Sequence, residues 1–298
     1  RARDLYIFTA ANLEDAAIVD CGDGLEFFCI GVEPEQRLLL DAVYGMMTLR
    51  NGVPIGYTLF SVLWRSAEVA YNVFESFRGG ESAWIYSRFL ATIRAMFAVD
   101  TFTIDPYQLG HHNEEGLGSG AWWFYYKLGF RPWDPATARL ADREARRVAA
   151  RRGYRTSPET LRALVRQNLF LQTGRTRRDV IGAIPTGAIG LAATDYLNRR
   201  FGMERERATS ALADEAAERL GVRDRRRWSA GERLFWERWA PLVALIPGLD
   251  DWSRDERRSL VSIIRAKGGR RERDFVVRFD AHPRLGAALV SLARRDAR

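Results

Sequence analysis

Two stretches of this chain carry residue types that do chemistry. The first, Phe77-Arg78-Gly79-Gly80-Glu81-Ser82-Ala83, lies between a β-rich run and a run with helical apolar spacing. A strand that feeds such a turn into a helix gathers unpaired backbone N–H groups and the positive end of the helix dipole at one spot, which is an anion site. Gly79 and Gly80 allow close backbone approach and positive φ, and Arg78 adds a guanidinium fork suited to a phosphate. The second stretch, Ser119-Gly120-Ala121-Trp122-Trp123-Phe124-Tyr125-Tyr126-Lys127-Leu128-Gly129-Phe130-Arg131-Pro132, is an aromatic helix that ends in a strand.

The elements around them follow from periodicity. Leu38 to Leu49 and Val53 to Trp64 are β-rich runs joined by Arg50-Asn51-Gly52, and Asn-Gly is the strongest short hairpin signal. Ala67 to Phe77 adds a third run, so an antiparallel meander is expected. Along it, alternation puts Glu68, Ala70, Asn72 and Phe74 on one face and Val69, Tyr71, Val73 and Glu75 on the other. Glu81 to Phe97 has helical spacing, Thr101 to Ile104 is a short strand stopped by Asp105-Pro106, and Gly110 to Gly118 reads as a loop before the helix Ser119 to Leu128, capped by Gly129.

Here the sequence resembles the GNAT superfamily of acyl-CoA-dependent N-acetyltransferases, over roughly residues 38–133. That family shows a strand, a pyrophosphate loop of the form Arg/Gln-x-x-Gly-x-Gly/Ala opening a helix, another strand, and a helix ending in a Tyr-x-Lys-Leu-Gly-Phe-like string. Arg78 and Ala83 fall on the loop pattern, while Glu81 occupies its intervening glycine position, with Gly80 one residue earlier. A carboxylate there repels a pyrophosphate unless it points away. The resemblance implies that Arg78, Gly79, Gly80, Ser82 and Ala83 hold the pyrophosphate of acetyl-CoA or another acyl-CoA. It also implies that a backbone N–H near Val73 polarises the thioester carbonyl and that Tyr125 protonates the departing thiolate, with Asn113 matching an Asn common in the family if the preceding loop bulges. A phenol suits that task because it stays protonated at neutral pH.

An attacking amine must also lose a proton. Glu68 is the preferred base, ahead of Glu75 and of the adjacent His111 and His112. The acceptor class is a small-molecule or protein amine, a cation that the acidic first half would attract.

Composition sets the frame. At 298 residues and 47% hydrophobic content the chain fills real cores. No apolar run approaches the roughly 20 residues that span a bilayer; Val180 to Leu191, broken by Gly182, Pro185, Gly187 and Gly190, is expected to be buried or close-packed. Two cysteines, Cys21 and Cys29, and three histidines predict neither a disulfide framework nor a metal, and a cytoplasmic setting is expected. Residues 1–140 carry a net charge of −6 and residues 141–298 carry +14.

From Ala136 the pattern changes to helices, including starts at Ser157-Pro158-Glu159 and Ser253-Arg254-Asp255-Glu256, with Pro241 expected to kink or split one helix and Arg273 to Phe279 expected as a lone strand. The expected fold is α/β: a GNAT-like, mixed but mostly antiparallel sheet flanked by helices over residues 1–135, then an all-helical, Arg-rich C-terminal domain over 136–298. An alternative is a catalytically inactive GNAT-like protein that binds an acidic partner, RNA or protein, through the basic half. The aromatics Trp228, Trp236, Trp239 and Trp252 interleave with arginines there, but helical spacing favours core packing over nucleic-acid stacking.

Overall fold

The computed structural model describes residues 5–77 and 79–295, with backbone alone at 205 and 206. After a short helix, α1 (Tyr6–Thr9), the chain builds five antiparallel strands in sequence: β1 (Ala11–Asp20), β2 (Leu25–Val32), β3 (Ala42–Arg50), β4 (Val53–Leu63) and β5 (Ser66–Val73). Helix α2 (Ser82–Phe97) then crosses over to β6 (Thr101–Ile104), which lies parallel to β5. Three short helices, α3 (Pro106–Leu109), α4 (Glu114–Ser119) and α5 (Ala121–Lys127), lead to β7 (Arg131–Pro132). Next come α6 (Pro135–Ala150), α7 (Pro158–Leu164) and β8 (Leu169–Gln172), which inserts between β6 and β7 and completes the eight-stranded sheet. The rest is helical: α8 (Thr186–Phe201), α9 (Arg205–Leu220), α10 (Ala230–Leu245), α11 (Arg254–Lys267), α12 (Glu272–Ala281) and α13 (Leu285–Arg295).

The expected meander is present as β3 to β5, and Asn51 and Gly52 form its first turn at φ 50 and 76, the left-handed pair that a two-residue hairpin needs. β1 and β2 extend it on the far side. The second half is not all-helical. β8 pairs with β6 from Thr101↔Gln172 to Ile104↔Leu169, so the sheet crosses the expected boundary at 135/136. One hydrophobic core runs from Leu25 to Ala293 through both halves.

Three local expectations change. Arg273 to Phe279 lies within α12, because Phe275, Val276 and Phe279 bury together at helical, not alternating, spacing. Pro241 stands inside α10 without splitting it; buried Trp239, Leu242 and Val243 hold the helix to the core on both sides of the proline. The Gly-rich loop contains α4, capped by Asn113. Val180, Ile181, Ile184 and Ile189 are buried as expected, with α8 starting inside that segment. Among the described residues no helix is long and apolar enough to cross a membrane.

The turn from β4 to β5 is unusual. Trp64 and Arg65 both sit at φ 51, a strained value for bulky side chains. The second half holds this turn in place. Asp280 Oδ1 accepts the Arg65 backbone N–H at 3.1 Å, Arg177 donates to the Trp64 carbonyl, and the Phe279 ring packs edge-on to Trp64 at 6.5 Å. Burial pushes the Asp280 carboxyl up to about 7, against the opposing hydrogen bond from Arg65 and the Arg177 charge.

A carboxyl raised by folding contributes stability at pH values below its unfolded pKa, near 4, and loses that contribution as the pH rises through its folded one. Asp280→Asn, which keeps the acceptor for Arg65, is expected to flatten the pH dependence of stability by roughly 2–4 kcal/mol between about pH 4 and 8. Urea midpoints of both proteins across that range check it. Parallel pH slopes would refute it.

Candidate active site

The site begins where two strands part. β5 and β6 pair only at Ser66↔Thr101, Ala67↔Phe102 and Glu68↔Thr103. β6 then stops at Ile104, because Asp105 caps α3 by accepting the Tyr107 N–H and Pro106 opens that helix. β5 continues to Val73 with no strand on that side. Phe74 N–H donates to Ile55 O at 3.0 Å, which makes Phe74, Asn72 and Ala70 the residues hydrogen-bonded to β4. The backbone groups of Val69, Tyr71 and Val73 are therefore turned toward the splay. Gly56, opposite Val73, permits this register: a Cβ there would come within 2.4 Å of the Asn72 carbonyl oxygen.

A cleft of about 940 Å³ fills the splay. Ala70 to Val73 line one side, Tyr57 and Leu59 of β4 extend that wall, and Ser82, Asn113, Phe124 and Tyr125 are among the residues that face it. Asn72 donates to the Tyr57 hydroxyl at 3.0 Å, which fixes both side chains in the wall.

Of the residues singled out from sequence, Tyr125, Val73, Ser82 and Asn113 meet at this cleft, and Ala83 lies just beyond it. Tyr125 is 4% exposed, packed against the rings of Tyr86 and Phe130 at 5.6 and 5.7 Å. Burial, and secondarily Tyr71, pushes its phenol far above the usual tyrosine value, so it keeps its proton. Asn113 is engaged within its own segment: its carbonyl oxygen accepts the Gly116 N–H and its amide donates to Tyr107 O. These two bonds hold Asn113 in the cleft wall.

Ser82 Oγ donates to Gly79 O at 2.8 Å, and among the described residues no side chain caps the first turn of α2. Gly80 does not use the positive φ that is open to a glycine. The space above Gly79 and Gly80 is open, with no atom of another described residue within 4 Å of an added Cβ. Glu81 pairs with Arg50 at 3.2 Å, which offsets its repulsion toward an anion. Arg78 lies outside the described residues.

Glu68 sits on the same face of β5 as Ala70 and Asn72, one alternate position above the cleft wall, about 7 Å along the strand from Ala70. Its carboxyl makes no hydrogen bond or ion pair among the described residues. Burial, followed by the charges of Asp105 and Asp41, pushes it up to about 7. The rings of His111 and His112 lie 4.0 Å apart, tilted at 47°, and neither residue lines the cleft. Glu75 is exposed in a short 3₁₀ turn.

Trp228, Trp236, Trp239 and Trp252 are all at most 8% exposed, so they pack the core instead of presenting faces to nucleic-acid bases. Among the described residues no cluster of His, Cys, Asp and Glu could hold a metal ion, and both cysteines are free. Tyr57 and Tyr71 belong to the site and were not singled out from sequence. The alternation that placed Asn72 beside Glu68 carried the only signal for the wall they complete. No family model, curated protein or solved structure matches the chain.

Proposed function

We propose that this protein is an acyl-CoA-dependent N-acyltransferase that passes an acetyl or other acyl group to an amine, as the resemblance to the GNAT superfamily implies. One observation carries the reading. The open side of β5, the uncapped first turn of α2 and the Tyr125 phenol all border one cleft at the point where β5 and β6 part. The residues present fit the co-substrate: the turn before α2 offers backbone N–H groups under open space, and Glu81 is paired with Arg50.

A bound thioester would supply an acyl carbon activated toward attack by an amine. Glu68 takes the proton that the amine must lose, through water, since it stands one alternate position from the cleft wall. A backbone N–H near Val73, that of Tyr71 among them, is turned toward the splay and donates to the carbonyl oxygen as charge develops there. Tyr125 holds its proton until sulfur leaves, then gives it up and regains one from solvent. The net change is one amide bond formed, one thioester bond broken and one thiol released.

Calorimetric titration of acetyl-CoA tests the binding half of this reading. Micromolar affinity is expected, and Ser82→Glu, which sets a carboxylate at the first turn of α2, should abolish it. No heat from the native protein at millimolar ligand would reject the reading. For the chemical half, Tyr125→Phe is expected to lower kcat about 10²-fold with little change in KM for acetyl-CoA. Unchanged turnover would remove Tyr125 from the mechanism.

A further inference from the structure

Beyond the first turn of α2 the cleft meets a second cavity. Ser82 lines the first and the next residue, Ala83, lines the second, while Ser119 and Phe124 line both. The second cavity, of about 1100 Å³, is walled on one side by Trp123 and Phe124 of α5 and on the other by the segment from Tyr154 to Arg162, which belongs to the basic second half. Trp123 Nε1 donates to Thr156 Oγ1 at 3.1 Å, which ties the two walls together.

Among the described residues, three cations stand around this cavity: Lys127, Arg155 and Arg162. Glu114 lies 3.9 Å from Arg162 and offsets it. Lys127 and Arg155 make no ion pair among the described residues, and both are exposed. The cavity thus joins aromatic walls, suited to a flat heterocycle, to two uncommitted positive charges, suited to a phosphate.

We propose that this second cavity takes the nucleotide end of CoA, with Lys127 and Arg155 pairing with its ribose 3′-phosphate. The proposal rests on the acyl-CoA reading given above. The order of groups along the ligand matches the order of features along the protein. CoA is linear, with a thioester arm, a pyrophosphate and a phosphorylated adenosine in that sequence. The protein presents a cleft holding Tyr125, a helix N-terminus and an aromatic, cationic cavity in the same sequence, joined at Ser82 and Ala83. It follows that the second half, through Tyr154 to Arg162, forms part of the co-substrate site rather than a separate module.

Dephospho-CoA, which differs from CoA only by the missing 3′-phosphate, provides the test. Calorimetry of both ligands with the native protein at physiological salt is expected to give CoA at least about tenfold tighter binding. In Lys127→Ala/Arg155→Ala that preference should vanish, with the affinity for dephospho-CoA kept. Equal affinities in the native protein, or a preference that survives the double substitution, would overturn the proposal while leaving the acyl-CoA reading intact. If neither ligand binds the native protein, both fall together. Both substituted side chains are exposed, and the comparison of two ligands on the native protein requires no variant.

Discussion

Lys267→Met is expected to destabilise the protein by about 3–5 kcal/mol, enough to unfold much of it at 37 °C. Lys267 is fully buried at the end of α11. Its ammonium donates to the carbonyls of Leu40 at 3.0 Å and Asp41 at 2.8 Å and to the Glu272 carboxylate, and it lies 4.4 Å from the centre of the Phe275 ring. Burial lowers its pKa, opposed by Glu272, and burial raises that of Glu272, opposed by Lys267 and then Arg37. Each charge is held in the interior by the other. Removing the lysine leaves a buried carboxylate whose nearest remaining cation, Arg37, stands 3.9 Å away, and leaves the two carbonyls just before β3 without their donor.

Replacing both partners together, Lys267→Met/Glu272→Met, should cost less than the single change, because no charge is then left unpaired. Urea denaturation of the three proteins measures both effects. A single-variant loss below about 1 kcal/mol would show that water reaches the pair and that it does not fasten the helices to the sheet.

That fastening is the part of the fold the sequence concealed. Hairpin chemistry at Asn51-Gly52, helical spacing from Glu81 to Phe97 and the stop at Asp105-Pro106 are local signals, and the elements they mark stand where the residues put them. So is the Ser253 to Glu256 capping box, which forms as expected, with an equivalent box at Ser229 to Glu232. The union of the two halves is not local. Trp239 Nε1 donates to Leu39 O across 200 residues, and Arg37 reaches the carbonyls of Lys267 and Gly269. No periodicity announces such contacts, and the four residues of β8 are too few for alternation to distinguish from the start of a helix.

The candidate site divides the same way. The turn before α2 and the aromatic string of α5 are contiguous in sequence, whereas Tyr57 and Tyr71 join the cleft only through strand register. The pairing of Glu81 with Arg50 joins the start of α2 to a residue of β3. Arg155, remote in sequence from α5, joins Lys127 only through the packing of Thr156 on Trp123.

Glu68→Gln separates a working base from a merely buried acid, because the two roles move different observables. If Glu68 accepts the amine proton it must be ionised, so kcat/KM of the native protein is expected to rise with an inflection near pH 7, where burial and the charges of Asp105 and Asp41 place its carboxyl. In Glu68→Gln the rate should fall by roughly 10²- to 10⁴-fold above that pH and lose the inflection.

Stability moves in the opposite direction. A carboxyl raised from about 4.5 to about 7 on folding favours the folded state below pH 4.5 and loses that contribution as the pH rises through 7. Glutamine, which does not titrate, should therefore gain up to about 3 kcal/mol on the native protein between pH 4.5 and 8. A change in stability with no change in rate would leave Glu68 a buried acid and nothing more. Asp105→Asn supplies the remaining check. Asparagine still caps α3, yet it removes the largest of the charges acting on Glu68, so the rate inflection should shift to lower pH. An inflection that stayed in place would mean that some group other than Glu68 sets it.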